Sequence, residues 1–351
     1  MTTGDIRKIC IICGILSIMK VTDKLSELQE KRMKNILLLI ESFMGYDLQL
    51  IETASKYYNV TVVYNNQYWE DVHRNIHDNI ILRAIRKIKI FRPLITEIAG
   101  NKYLNNYIST SNTRDYYDYV FCINGYQLPD SYYAYLKRQY PKAKFVLYLY
   151  DDVSNLAKHS YFKYFDYRYS YNIDDCALYD FKYMAMFIQD VELPKSDTKE
   201  RIYDLAIIGT AHKDRLELVK KIYEMYRSKY KFYIYMYHPT EDGDFFWHKE
   251  PLSYFDYASI LRKSKVVIDI PGFKQTGPTT RPLDAYFTKT KVLTTSENIT
   301  KYPIYSDNIA FLNRNDPVIE ETFVNKEYVP VNRDVKNCDG WLKEILEDDS
   351  E

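Results

Sequence analysis

Residues 265–295, KVVIDIPGFKQTGPTTRPLDAYFTKTKVLTT, constrain the fold more than any other stretch. Val266 to Ile270 is an apolar, β-branched run halted by Pro271-Gly272, which predicts a buried strand. After a polar loop, Arg281-Pro282-Leu283-Asp284-Ala285 predicts a helix start, because proline is well tolerated in a first turn. Lys291 to Thr295 reads as a second strand. Strand, loop, helix, strand is half of a parallel α/β unit. The loop feeds a helix N-terminus, where unpaired N–H groups and the helix dipole favour an anion such as a diphosphate. Arg281 adds a fixed charge, and Asp284 is placed to accept hydrogen bonds from sugar hydroxyls. An ordinary capped βα turn has the same local text.

The pattern occurs twice along the 351 residues. In residues 33–190, strands are expected at 34–41, 60–64, 117–123 and 144–150, with helices at 46–58 and 131–139. A polar segment, VELPKSDTKER, predicts a linker at residues 191–202. Strands are expected again at 203–208, 231–237, 266–270, 291–295 and 309–312, with helices at 216–227 and 254–264. These place a second unit at residues 203–337, and residues 338–351 form a closing helix and tail. A parallel sheet in each half follows from the alternation. Residues 1–32 stand apart: a weak signal peptide, an added amphipathic helix or an upstream start codon fits them, and MKNILLLIE at Met33 is the favoured natural opening.

Lys plus Arg balance Asp plus Glu at 48 each, so no net field argues for nucleic acid. A hydrophobic share of 46% with 27% charged is globular. Tyrosine stands out, with 37 copies against 16 Phe and 3 Trp; half-buried faces are the main expectation for them. Five cysteines, with one lone CxxC at Cys10 and Cys13, suit a reducing compartment rather than a disulfide framework or zinc site. No GxxxxGK[ST], GxGxxG, HExxH or GxSxG is present, so P-loop, dinucleotide, zincin and hydrolase readings are unsupported.

The remaining candidates lie at strand ends, the binding edge of parallel α/β sheets. The loop Gly209 to Arg215 offers Thr210, Lys213 and Arg215 to phosphate. The loop before Asp284 offers Gln275, Thr276, Gly277, Thr279 and Thr280. Asp151 and Asp152 follow a strand and suit either a general base or a turn. Glu41 is a second candidate base, and His212 and His238 are expected to be structural. The basic helix expected at 84–92 fits either a membrane surface or an ordinary solvated face.

The strand end IIGT with its arginine loop, then ILRKSKVVIDI…QTGPTTRPLDAYFTKTKVLTT, resembles the C-terminal half of GT-B glycosyltransferases. It is most similar to the CgeB-like, spore-maturation-protein-like group of capsular and lipopolysaccharide clusters. In that group an acidic residue stands in an R-x-x-E-A context; here it is Asp284, one methylene shorter. MKNILLLIES and LYLYDD resemble the N-terminal half more weakly.

The resemblance implies two Rossmann-like domains with parallel sheets facing across a cleft. It implies transfer of a sugar from a nucleotide-sugar substrate to a glycan or lipid-linked acceptor, without metal or other cofactor. The first domain would take the acceptor, with Asp151 or Glu41 as base. The second would bind the donor, with Arg281, Lys213 and Thr210 on the diphosphate and Asp284 on ribose. A cytoplasmic enzyme at the inner membrane face is expected. A sugar-nucleotide epimerase or a non-catalytic sugar- or nucleotide-binding protein are the alternatives.

Overall fold

The computed structural model describes residues 33–347 except 157, 194–200, 240–242 and 244–245. Residues 1–32, Cys10 and Cys13 among them, and most of the expected linker lie outside the described residues.

The first sheet contains β1 (Lys34–Ile40), β2 (Tyr58–Tyr64), β3 (Tyr119–Ile123), β4 (Lys144–Leu149), β5 (Tyr167–Ser170) and β6 (Lys182–Tyr183). Their order is β2-β1-β3-β4-β5-β6, and every pairing is parallel. The second contains β7 (Tyr203–Thr210), β8 (Phe232–Tyr237), β9 (Trp247–His248), β10 (Ser264–Asp269), β11 (Lys291–Thr294) and β12 (Ile309–Phe311). Its order is β12-β11-β10-β7-β8-β9, again all parallel. Two parallel α/β sheets follow the alternation of the sequence, and their strand ends face across a cleft as the GT-B resemblance implies.

The continuous apolar runs have a simple cause: helices cover both faces of each sheet. In β1, Leu37 and Leu39 enter one core, while Ile36, Leu38 and Ile40 enter the other. The second sheet divides likewise, with Leu205 and Ile207 on one side and Ala206 and Ile208 on the other. The closing helix Cys338–Glu347 returns to the first sheet. Its Trp341 is fully buried against Phe121, Tyr148 and Phe187, and its indole N–H donates to the Ala185 carbonyl at 2.9 Å. Truncating such an anchor costs about 3–5 kcal/mol.

The expected basic helix at 84–92 is not one helix. Ile80–Arg86 ends with Lys87 as its C-cap, Lys89–Phe91 forms a 3-10 turn, and Arg92–Ser111 begins anew with proline in its first turn. Proline lacks the N–H an uninterrupted helix would need there.

Candidate functional site

A cavity of about 700 Å³ opens between the two sheets. Its wall from the first sheet is built at the ends of β1, β4, β5 and β6, with the turn after β3 behind it. Glu41 follows β1 directly and lines the cavity. Its carboxylate accepts from Gln127 Nε2 at 2.5 Å and from the Tyr150 hydroxyl at 3.0 Å. Asp151 follows β4 by one residue and also lines the cavity, accepting from Asn124 Nδ2 at 2.8 Å. Asn124 holds that aim because the turn after β3 is left-handed, with φ 55° at Asn124 and 76° at Gly125, a region glycine enters freely and asparagine readily. Its side-chain oxygen also accepts the Tyr150 N–H at 3.2 Å.

Both carboxyl groups are shifted. Burial raises the pKa of Glu41, opposed by its hydrogen bonds from Gln127 and Tyr150. Burial, then the neighbouring Glu41 charge, pushes Asp151 up to about 6. Among the described residues neither forms an ion pair with a lysine or arginine, so nothing cationic offsets their desolvation.

The second sheet supplies the opposite charge. Arg215 donates through Nε to the Ile270 carbonyl at 2.9 Å and through Nη1 to the Thr210 carbonyl at 2.8 Å. Arg281 donates through Nη1 to Asp269 Oδ1 at 3.2 Å and to Thr279 Oγ1 at 3.0 Å, and through Nη2 to the Ile208 carbonyl. The two guanidinium groups flank Gly209, where an added Cβ would lie 3.1 Å from Arg281 Nη2 and 3.5 Å from Arg215 Nη1. A side chain there would fill this cationic corner. Burial and the Arg281 charge lower the pKa of Arg215 to about 10. Arg281 Nε is buried and has no hydrogen-bond partner.

Asp269, at the end of β10, organises the loop. It is wholly buried and accepts from Thr279 Oγ1 at 2.6 Å and Thr294 Oγ1 at 2.9 Å as well as from Arg281. The helix Arg281–Thr288 offers fewer free N–H groups than its position predicts. The Arg281 N–H donates to Thr279 Oγ1 at 3.1 Å, Pro282 has none, and Leu283 and Asp284 donate to the Thr280 carbonyl.

Asp284 lines the cavity but is 1% exposed. Its two oxygens accept the hydroxyls of Tyr254 at 2.7 Å and Tyr257 at 3.0 Å. Burial raises its pKa to about 6, against the hydrogen bonds that stabilise its charge. Both tyrosines also line the cavity, so a sugar hydroxyl would meet this carboxylate in the company of their hydroxyls.

Gln275, Thr279, Thr280, Thr210, Arg215, Arg281, Glu41 and Asp151 therefore share the cavity with Asp284. Lys213 does not line it: it is exposed and begins the helix Lys213–Tyr226, three residues before the expected start. Thr276 and Gly277 face the first sheet instead. Thr276 donates to Asp152 Oδ2 through its N–H at 2.6 Å and through Oγ1 at 3.2 Å, and accepts from Asn172 Nδ2 at 2.8 Å. At Gly277 a Cβ would come within 2.8 Å of the Tyr171 ring, so the loop's close approach there needs glycine. Gln275 Nε2 donates to the Tyr171 hydroxyl at 3.1 Å. The loop thus joins the two halves. Asp152, paired with Asp151 in the sequence, belongs to this junction and not to the cavity lining.

Sequence reading missed Asp269, Asn124, Gln127 and the cavity tyrosines. Tyr46, Tyr150, Tyr171, Tyr235, Tyr254 and Tyr257 line it, so tyrosine here is more than filling for half-buried faces. Asp269 had a signal: an acid closing a buried β-branched run. Neither His212 nor His238 is among the lining residues. Among the described residues no cluster of His, Cys, Asp or Glu is grouped to hold a metal ion. No described helix is long and apolar enough to cross a membrane.

No protein-family model matches the sequence, and no curated protein matches it. Among solved structures, Spinosyn Forosaminyltransferase SpnP is similar with a TM-score of 0.44 and 13% identity, over 90% of this chain and 91% of that one. A UDP-N-acetylglucosamine 2-epimerase is similar with a TM-score of 0.40 and 10% identity, over 90% of this chain and 88% of that one. Likeness at this level bears on neither substrate nor residue roles.

Proposed function

We propose that the chain is a glycosyltransferase that takes a nucleotide-diphosphate sugar in the interdomain cavity. The observation that carries this is the cationic corner at Gly209. Two guanidinium groups lie side by side there, only Arg281 is ion-paired to the buried Asp269, and burial, then the Arg281 charge, lowers the Arg215 pKa. An anion seated there relieves that repulsion, and a departing diphosphate is such an anion. A volume of about 700 Å³ suits a nucleotide sugar.

In the proposed reaction an acceptor hydroxyl attacks the anomeric carbon, and the bond from that carbon to the phosphate oxygen breaks. The nucleoside diphosphate leaves with the electron pair, its charge facing Arg215 and Arg281. The acceptor proton passes to the Asp151 carboxylate, whose raised pKa suits a base working near neutral pH. Thr210, Gln275, Thr279 and Thr280 border the diphosphate, and Asp284 with Tyr254 meets the ribose. Lys213, exposed and outside the lining, is left out of this set. No metal is assigned a part in it.

Membership of the CgeB-like group and a glycan or lipid-linked acceptor in capsule or lipopolysaccharide synthesis come from the sequence resemblance alone. Epimerase chemistry has less support, because no histidine is among the lining residues. Incubation with a panel of nucleotide sugars tests the proposal. Slow release of nucleoside diphosphate from one of them, accelerated by an acceptor, is expected. Conversion of a sugar nucleotide to its epimer, or no reaction across the panel, overturns it.

A further inference from the structure

The segment 79–96 is out of keeping with the rest of the surface. It carries Arg83, Arg86, Lys87, Lys89 and Arg92 and no acidic residue. It also exposes large apolar side chains: Ile80 is 72% exposed, Ile81 69%, Ile88 51% and Ile90 79%, with Phe91 at 43%. The helix Ile80–Arg86 has no buried residue, and only Leu82 and Ile85 turn partly inward onto the first core. Asn79 fixes its start by accepting the N–H groups of Ile81 at 3.0 Å and Leu82 at 3.1 Å. The next turn, Lys89–Phe91, adds one basic and two apolar residues.

Single exposed isoleucines are ordinary, but five large apolar groups within a dozen residues are a patch. Helix formation does not explain them, since a solvated face would favour Lys, Glu and Gln at these positions. Isoleucine and phenylalanine interleaved with arginine and lysine match an anionic lipid interface, where apolar groups enter the acyl boundary and cations meet headgroups. The chain's overall charge is balanced at 48 against 48, so the positive charge of this segment is local.

We infer that residues 79–96 form a docking surface for an anionic membrane. The surface holds the first domain against the bilayer by shallow insertion of Ile80, Ile81, Ile90 and Phe91, with Arg83 and Lys87 on the headgroups. No spanning segment is involved.

Flotation of the full chain with vesicles tests this, without any turnover, so its outcome is independent of the transferase proposal. Vesicles of equimolar phosphatidylcholine and phosphatidylglycerol should bind the protein, and vesicles of phosphatidylcholine alone should bind it far less. Rising salt should weaken the interaction. The variant Ile80→Ser/Ile81→Ser/Ile90→Ser changes only exposed side chains, so its thermal unfolding should match the parent while vesicle binding falls about tenfold or more. The variant Arg83→Glu/Lys87→Glu should lose about as much. Equal binding of both vesicle types, no binding to either, or undiminished binding by the folded serine variant overturns the inference. So does a parent protein that self-associates in solution, becomes monomeric in the serine variant and ignores vesicles, because the patch then meets a second copy.

Discussion

The guanidinium corner on the second sheet and the carboxyl pair on the first treat buried charge in opposite ways. On the second sheet each guanidinium is tied down: Arg281 by Asp269, Thr279 and the Ile208 carbonyl, Arg215 by two backbone carbonyls. On the first sheet Glu41 and Asp151 receive only neutral donors, from Gln127, Tyr150 and Asn124. Neutral hydrogen bonds orient a carboxylate without cancelling its desolvation, so both acids hold their protons to higher pH. The guanidinium corner is built to stay charged and still, although Asp284 on the same wall, held by two tyrosine hydroxyls, also has its pKa raised to about 6. The pair of Glu41 and Asp151 is built to gain and lose a proton. That division suits a reaction with an anionic leaving group on one side and a hydroxyl to be deprotonated on the other.

The largest expected effect lies in the guanidinium corner. Arg281→Ala leaves Asp269 buried without its cation, and losing one partner of such a pair costs roughly 3–5 kcal/mol. Chemical denaturation at neutral pH should show that loss, whereas Asp151→Asn, which removes a buried charge, should unfold at or above the parent midpoint. Equal stability of the two variants would erase the contrast between the corner and the pair.

The carboxyl pair predicts a pH effect. The pKa of Asp151 is raised from an ordinary 3.8 to about 6 in the fold, so the folded protein holds this proton more tightly than the unfolded chain. Stability from this group is present below about 4 and is lost as pH rises through about 6. The basic form therefore emerges above about 6, and kcat/KM should rise across that value. Asp151→Asn should lower kcat by about 10²–10⁴. Glu41→Gln removes the like charge that helps raise Asp151, so the limb should move to lower pH. A limb that stays in place, or moves up, would show that Glu41 does not act on the base in this way.

Nine of the twelve strands could be read from the sequence, because helices on both faces make the central ones nearly continuous apolar runs; the short strands at one end of each sheet, β5, β6 and β9, carry Arg168, Lys182 and His248 and could not. Glu41 and Asp151 could be read because each closes such a run, and Arg215 and Arg281 because each lies in the text of a βα junction. What escaped is set by contacts distant in sequence. Tyr254 and Tyr257 stand three apart on one helix, a spacing that reads as a core face, and only the fold brings them to Asp284. Thr276 and Gly277 sit in a loop whose text suits phosphate, yet their partners Asp152 and Tyr171 lie in the other half of the chain. Lys213 reads as a loop residue because apolar spacing begins only at Leu216, while the helix itself begins earlier and leaves Lys213 exposed.

The central claim is that the Gly209 corner receives the diphosphate of a nucleotide. Thermal unfolding of the parent and of Arg215→Ala, each with uridine, guanosine, cytidine, adenosine and thymidine diphosphates, tests it most directly. At a ligand concentration about a hundred times Kd, binding adds about 2.7 kcal/mol to the folded state. At least one diphosphate should therefore raise the parent's unfolding temperature by several degrees. Arg215→Ala should unfold cooperatively on its own and lose most of that rise. A parent indifferent to all five, or a variant stabilised as much as the parent, would contradict the claim.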